Sequence, residues 1–190
     1  MRELGRTLKQ VAGVLERAGV PYMVIGGLAN LAWGEPRTTM DVDITVNAGE
    51  TSIPAILELA KELGSLLAED PEEVAERGRL VPIRTFEGVR VDMALATLPF
   101  ELDAIARARI IDLEGVEIPV CTPEDLIVMK SVSQRARDHE DVIGILRRQR
   151  DSLDLEKLDQ TISGLAAELS DPELADRWQR ARRAASIGKP

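Results

Sequence analysis

Three acidic residues and a glycine pair are the part of this sequence that could do chemistry. Asp41 and Asp43 stand two apart in Asp41-Val42-Asp43-Ile44-Thr45-Val46, Asp92 follows in Arg90-Val91-Asp92-Met93, and Gly26-Gly27 precedes both segments. Polar and apolar residues alternate through Asp41 to Val46, which is the period of a half-buried strand. Side chains at i and i+2 of a strand share a face, with α-carbons about 6.8 Å apart, so two carboxylates at this spacing can reach one hard cation. Asp92 lies between two apolar residues and should also point away from the core. If its strand runs beside the first, three carboxylates converge.

Carboxylates crowded together repel and raise one another's pKa, a conflict that a divalent cation removes. An all-oxygen donor set favours Mg²⁺ or Mn²⁺. Two such ions about 3.5–4 Å apart can hold the attacking and leaving oxygens of a phosphoryl-type displacement. Gly26-Gly27, between a strand and a helix start, would turn backbone N–H groups toward an anion, where the helix dipole also favours negative charge. Arg37, just ahead of the aspartates, could grip a phosphate with two N–H groups or pair with a carboxylate. A lone Asp-x-Asp is ordinarily a solvated face and a lone Gly-Gly a turn. The ordered set carries the argument.

The elements that must position these residues are legible in outline. Leu4, Leu8, Val11 and Leu15 recur at helical spacing, predicting a helix over 2–18 that stops at Gly19 and Pro21. Residues 22–25 read as a short buried strand, and a helix begins after the glycines, at Leu28. A helix is predicted over 53–67 and a short one over 71–77. Strands over 80–86 and 89–95 meet at Glu87-Gly88. A helix over 100–107 is followed by strands over 110–113 and 116–120, which meet at Glu114-Gly115. Thr122-Pro123-Glu124-Asp125 is a helix start with N-cap, Pro at the first position and a capping-box acid. That helix is expected to run to about Arg137, with more helix to Arg148.

Composition bounds the function classes. The chain of 190 residues carries 24 Lys and Arg against 33 Asp and Glu, a formal charge of −9 that opposes bulk binding to nucleic acid. A 44% hydrophobic content supports one sizeable core. The apolar runs are far shorter than the roughly 18 residues of a membrane span. The first residues lack the pattern of a signal peptide, so a soluble cytoplasmic protein with no membrane partner is expected. Cys121 alone excludes an intramolecular disulfide and a cysteine zinc site, and His139 alone excludes a multi-histidine metal centre. Trp33 could cover a base or serve as packing. Residues 154–176 hold seven acids and one base, and residues 177–190 five bases and no acid. A solvated pair of terminal helices accounts for this asymmetry, as would a tail docking on an anionic partner, with the chain loosening after Ser186. Arg147, Arg148 and Arg150 make a second basic cluster.

Downstream, Lys130, Gln134, Arg137, Asp138 and Asp141 share one stripe if their helix is continuous. Lys130 could then neutralise phosphate charge, with Asp138 orienting it or holding an acceptor; the alternative is an amphipathic helix laced with salt bridges.

The segment Ile25-Gly26-Gly27-Leu28 … Arg37-Thr38-Thr39-Met40-Asp41-Val42-Asp43-Ile44 resembles the signature of the DNA polymerase beta-like nucleotidyltransferase superfamily. Within it, the sequence looks most like the small AbiEii-type enzymes, several of them toxins of toxin–antitoxin pairs. Gly27 stands where many members have Ser. The stretch from Asp125 through Lys130 to Asp138 and Asp141 resembles the family's later helical motif. Together the two matches span about Tyr22 to Leu146.

The resemblance implies an α/β (α+β) fold: a mixed β-sheet nucleotidyltransferase core over 1–121 flanked by helices, with a helical region over 122–190 packed on it. It implies transfer of a nucleoside monophosphate from a nucleoside triphosphate co-substrate, with Mg²⁺ or Mn²⁺ held by Asp41, Asp43 and Asp92, the catalytic residues. Gly26, Gly27, Arg37, Thr39, Lys130 and Asp138 would bind nucleotide or phosphate. The acceptor would be tRNA or a protein, with an antitoxin protein as a further partner. A small-molecule (antibiotic) acceptor and an inactive binding module are the alternatives.

Overall fold

The computed structural model describes residues 3–49 and 51–186. The first residues of the predicted N-terminal helix and the end of the basic tail, Lys189 included, lie outside the described residues. In chain order the elements are α1 (Glu3–Arg17), β1 (Tyr22–Val24), α2 (Gly26–Trp33), β2 (Asp41–Val46), α3 (Ile53–Leu63), β3 (Gly64–Leu66), α4 (Pro71–Gly78), β4 (Leu80–Thr85) and β5 (Arg90–Leu95). Then come α5 (Pro99–Ala106), β6 (Arg109–Leu113), β7 (Val116–Val120), α6 (Pro123–Val132), α7 (Ala136–Arg148), α8 (Leu155–Glu168) and α9 (Glu173–Ala184).

The described strands form one mixed sheet in the order β3-β4-β5-β2-β1-β7-β6. The pairs β2–β5 and β1–β7 are parallel and the rest antiparallel. Contacts divide the chain into two units: Met1–Leu28 with Thr38–Cys121, and Ala29–Arg37 with Thr122–Pro190.

The first unit contains the sheet. Its strands alternate as their sequence does: Val42, Ile44 and Val46 of β2 and Val91, Met93 and Leu95 of β5 are buried, leaving Asp41, Asp43, Arg90 and Asp92 to the opposite face. The helical stripe of α1 meets its expectation, since Leu8, Val11 and Leu15 are fully buried. Two boundaries differ from the sequence reading. Helix α2 begins at Gly26 rather than Leu28. The helix predicted over 53–67 ends at Leu63, and residues 64–66 form β3, paired with β4 at Gly64↔Thr85. The cause is a close backbone approach: a Cβ at Gly64 would lie 2.0 Å from the Arg84 carbonyl oxygen. Apolar periodicity carries no signal of such a contact.

The second unit is helical. Thr122 caps α6 as predicted, its Oγ1 accepting from the Asp125 N–H at 3.2 Å and donating to the Asp125 carboxylate at 2.8 Å. The helix does not continue to Arg137. Ser133 and Arg135 take extended backbone angles (ψ 141° and 132°), so α6 and α7 are separate. The terminal helices also hold more core than their polar composition suggests. Leu174, Trp178 and Ala181 of α9 are buried with Leu158 and Ile162 of α8, and Trp178 Nε1 donates to Asp159 at 2.6 Å. No described helix is long and apolar enough to cross a membrane.

Candidate active site

Parallel pairing of β2 with β5 sets Asp41 opposite Arg90 and Asp43 opposite Asp92. Adjacent strands lie about 4.8 Å apart, so the four residues make a two-by-two patch on one face of the sheet. Asp41 accepts from Thr39 Oγ1 at 2.8 Å. Arg90 Nε donates to both oxygens of Asp92, each at 3.0 Å. The Arg90 guanidinium is held charged above its usual range. The hydrogen bond and charge of Asp92 come first, opposed by desolvation, and Asp41 and Asp43 add their charges. The Arg90 guanidinium thus sits in the field of all three predicted aspartates.

The glycine pair lies against this patch. Gly26 has φ +63°, and a Cβ built on it would lie 2.0 Å from Asp43 Oδ2. Only glycine tolerates both the left-handed angle and that approach. The Gly27 N–H points at the same oxygen, at 3.5 Å, so the start of α2 faces a carboxylate at the edge of the acidic patch.

Among the described residues no three His, Cys, Asp or Glu side chains are arranged as a metal centre. The chemistry of the donor set nevertheless fits a hard divalent ion. The donors of Asp41, Asp43 and Asp92 are all oxygens, and Arg90 brings one positive charge against three acids.

The second unit holds the other predicted residues in an ion-pair network. Lys130 Nζ lies 2.7 Å from Asp138 Oδ1 and 2.7 Å from Asp141 Oδ2, with only 7% of its side chain exposed. Arg37 grips Asp141 with Nε and Nη2, each at 2.9 Å. Ser133 Oγ donates to Asp138 at 2.7 Å. Lys130 and Asp138 therefore meet across the break between α6 and α7, not along one helical stripe. Burial pushes the Asp138 and Asp141 carboxyls up. Hydrogen bonds from Lys130 and Ser133 to the one, and from Arg37 and Lys130 to the other, outweigh it, and both end below the usual range. A small cavity beside Lys130, Ser131, His139 and Arg177 has room for a water.

Arg90 and Asp141 hold places in these networks that their sequence positions alone do not assign. Arg90 carried a signal, since it shares strand parity with Asp92. Asp141 had its place in a charge pattern and in the later helical motif. Of the basic residues expected to form patches, Arg147 donates to the Ala184 carbonyl and Arg148 to that of Gly34, Arg177 pairs with Asp171 and Arg182 with Asp159.

A mixed sheet with these flanking helices is the nucleotidyltransferase fold. The chain is similar to the solution structure of the antibiotic-resistance factor ANT(2'')-Ia, with a TM-score of 0.60 at 16% identity, over 88% of this chain and 94% of that one. It is also similar to an antigenic nucleotidyltransferase-like protein from Paracoccidioides brasiliensis (TM-score 0.54, 16% identity, 93% and 92% covered). A third likeness is to the lincosamide antibiotic adenylyltransferase LnuA bound to lincomycin (TM-score 0.52, 17% identity, 74% and 94% covered). No curated protein matches the chain. A family profile described as "Nucleotidyl transferase of unknown function (DUF2204)" matches residues 5–172, and the chain belongs to that family.

Proposed function

We propose that the chain transfers a nucleoside monophosphate from a nucleoside triphosphate to an acceptor hydroxyl, with release of pyrophosphate. The observation that carries this reading is the register of β2 on β5, which sets Asp43 beside Asp92 and Asp41 one pleat away. Asp41, Asp43 and Asp92 would hold Mg²⁺ or Mn²⁺. When bound, the divalent ion supplies neutralisation of triphosphate charge and polarisation of the α-phosphate. Asp92 accepts the acceptor's proton as its oxygen attacks the α-phosphorus and the bond to pyrophosphate breaks. Thr39 orients Asp41 through its hydroxyl. Gly26 and Gly27 let backbone and substrate phosphate approach closely.

Arg37, Lys130 and Asp138 enter as a second layer. Either cation would have to leave a carboxylate to meet a phosphate, so we assign them to holding α6 and α7 with the loop after α2 in register.

For the acceptor we favour a small hydroxylated molecule over tRNA. The net charge of −9 and the engagement of Arg147, Arg148, Arg177 and Arg182 with groups of their own unit weaken the case for a nucleic-acid surface. The antibiotic-modifying proteins of like fold motivate the same choice. Kinship with AbiEii-type toxins, with a protein or tRNA acceptor and an antitoxin, rests on the two motif resemblances and is the second reading.

The test is a screen of four labelled triphosphates with Mg²⁺ against hydroxylated small molecules, total tRNA and protein extract, using wild type and Asp41→Asn. Label transfer by wild type and its loss in a folded Asp41→Asn protein support the reading. Transfer at wild-type rate in that variant overturns it.

A further inference from the structure

Arg90 opens β5 on the same face as the three aspartates, in register with Asp41. Its Nε is committed to Asp92 at 3.0 Å, while its side chain is 46% exposed and that of Asp92 21%. Among the described residues its two terminal nitrogens hydrogen-bond to no protein group. This is an arginine with one edge on a carboxylate and its fork turned toward open space beside an acidic patch. A guanidinium in that posture has two uses. It neutralises carboxylates that would otherwise repel one another, and its fork fits a phosphate as well as a carboxylate.

We propose that Arg90 is the resident counter-cation of the carboxylate patch: it occupies Asp92 until a divalent cation arrives, and its fork then takes phosphate oxygens of the incoming nucleotide. A bare divalent ion must displace Arg90 from Asp92 and gains nothing in return. An ion that arrives on a triphosphate brings phosphate oxygens for the guanidinium it displaces. Arg90 thus biases the site toward the metal–nucleotide complex and against free metal. This rests on the nucleotidyltransferase reading. It adds to that reading a positioning residue with opposite effects on two binding events.

The experiment measures Mn²⁺ binding by electron paramagnetic resonance and by calorimetry at fixed ionic strength, first with Mn²⁺ alone and then with Mn²⁺ plus inorganic tripolyphosphate, which makes the result independent of the base. Wild type, Arg90→Gln, Arg90→Lys and Asp41→Asn are compared, with Arg90→Met in reserve should the Gln variant fail to fold. Arg90→Gln should bind Mn²⁺ alone about five- to tenfold more tightly than wild type, and should bind Mn²⁺–tripolyphosphate several-fold more weakly. Arg90→Lys keeps the charge and should stay within about twofold of wild type for Mn²⁺ alone. Unchanged or weaker Mn²⁺ binding by Arg90→Gln, where wild type binds and Asp41→Asn does not, overturns the role of Arg90 and leaves the reading of the site intact. Tighter binding in both settings overturns the hand-over to phosphate. If wild type binds Mn²⁺ no better than Asp41→Asn in either setting, the reading of the site fails and the role of Arg90 with it.

Discussion

Asp43 of β2 and Asp92 of β5 are direct register partners in a parallel strand pair, although 48 positions separate them in sequence. One strand alone would give two carboxylates on a half-exposed face. The neighbour adds a third acid and an arginine to that face, and the patch becomes a place where charge must be managed.

Asp92→Asn keeps the shape and removes the charge and the proton acceptor. Transfer should fall by about 10²–10⁴-fold, the range of a lost general base. The thermal midpoint should stay within a few degrees of wild type, because the side chain faces away from the core. Turnover and a circular dichroism melt on the same preparation check both statements. Near wild-type turnover would remove Asp92 from the chemistry.

Gly26→Ala introduces a methyl group where Asp43 Oδ2 stands at 2.0 Å, at φ +63°. The left-handed angle costs about 1–2 kcal/mol for a non-glycine residue. The Asp43 carboxylate has to swing away, so activity should drop much further than stability. A chemical denaturation curve beside a rate measurement separates the two effects.

Lys130→Met leaves Asp138 and Asp141 without their shared ammonium in a buried setting. Removing one partner of such a pair costs about 3–5 kcal/mol, so the urea midpoint should fall markedly. A loss of activity without a loss of stability would instead place the ammonium on the substrate.

Acid should find the same network. Asp138 and Asp141 have folded-state values below the ordinary 3.8. The unfolded chain therefore binds their protons first as pH falls. Their contribution is complete above about pH 4, flat through neutrality, and lost as pH drops from there through the lowered values. Urea midpoints at pH 6, 4.5 and 3 should show a decline confined to the last step. Asp141→Asn should flatten that decline.

The helical stripe of α1, the alternation of β2 and β5, both hairpin turns and the Thr122 cap were legible in the sequence, because each depends on residues within a few positions of one another. The three aspartates were legible as candidates for the same reason: strand parity sends Asp41 and Asp43 to one face, and apolar neighbours send Asp92 outward. Their meeting was a matter of tertiary structure, since the parallel register of β2 on β5 involves hydrogen bonds between distant segments. The break at Ser133 to Arg135 was hidden as well. No Gly or Pro marks it, and what accompanies it is the bridging of Lys130, Ser133, Asp138, Asp141 and Arg37. Arg90 reads as one more charged strand residue until its neighbours are known. Local periodicity says which way a side chain points, and only the fold decides what it meets there.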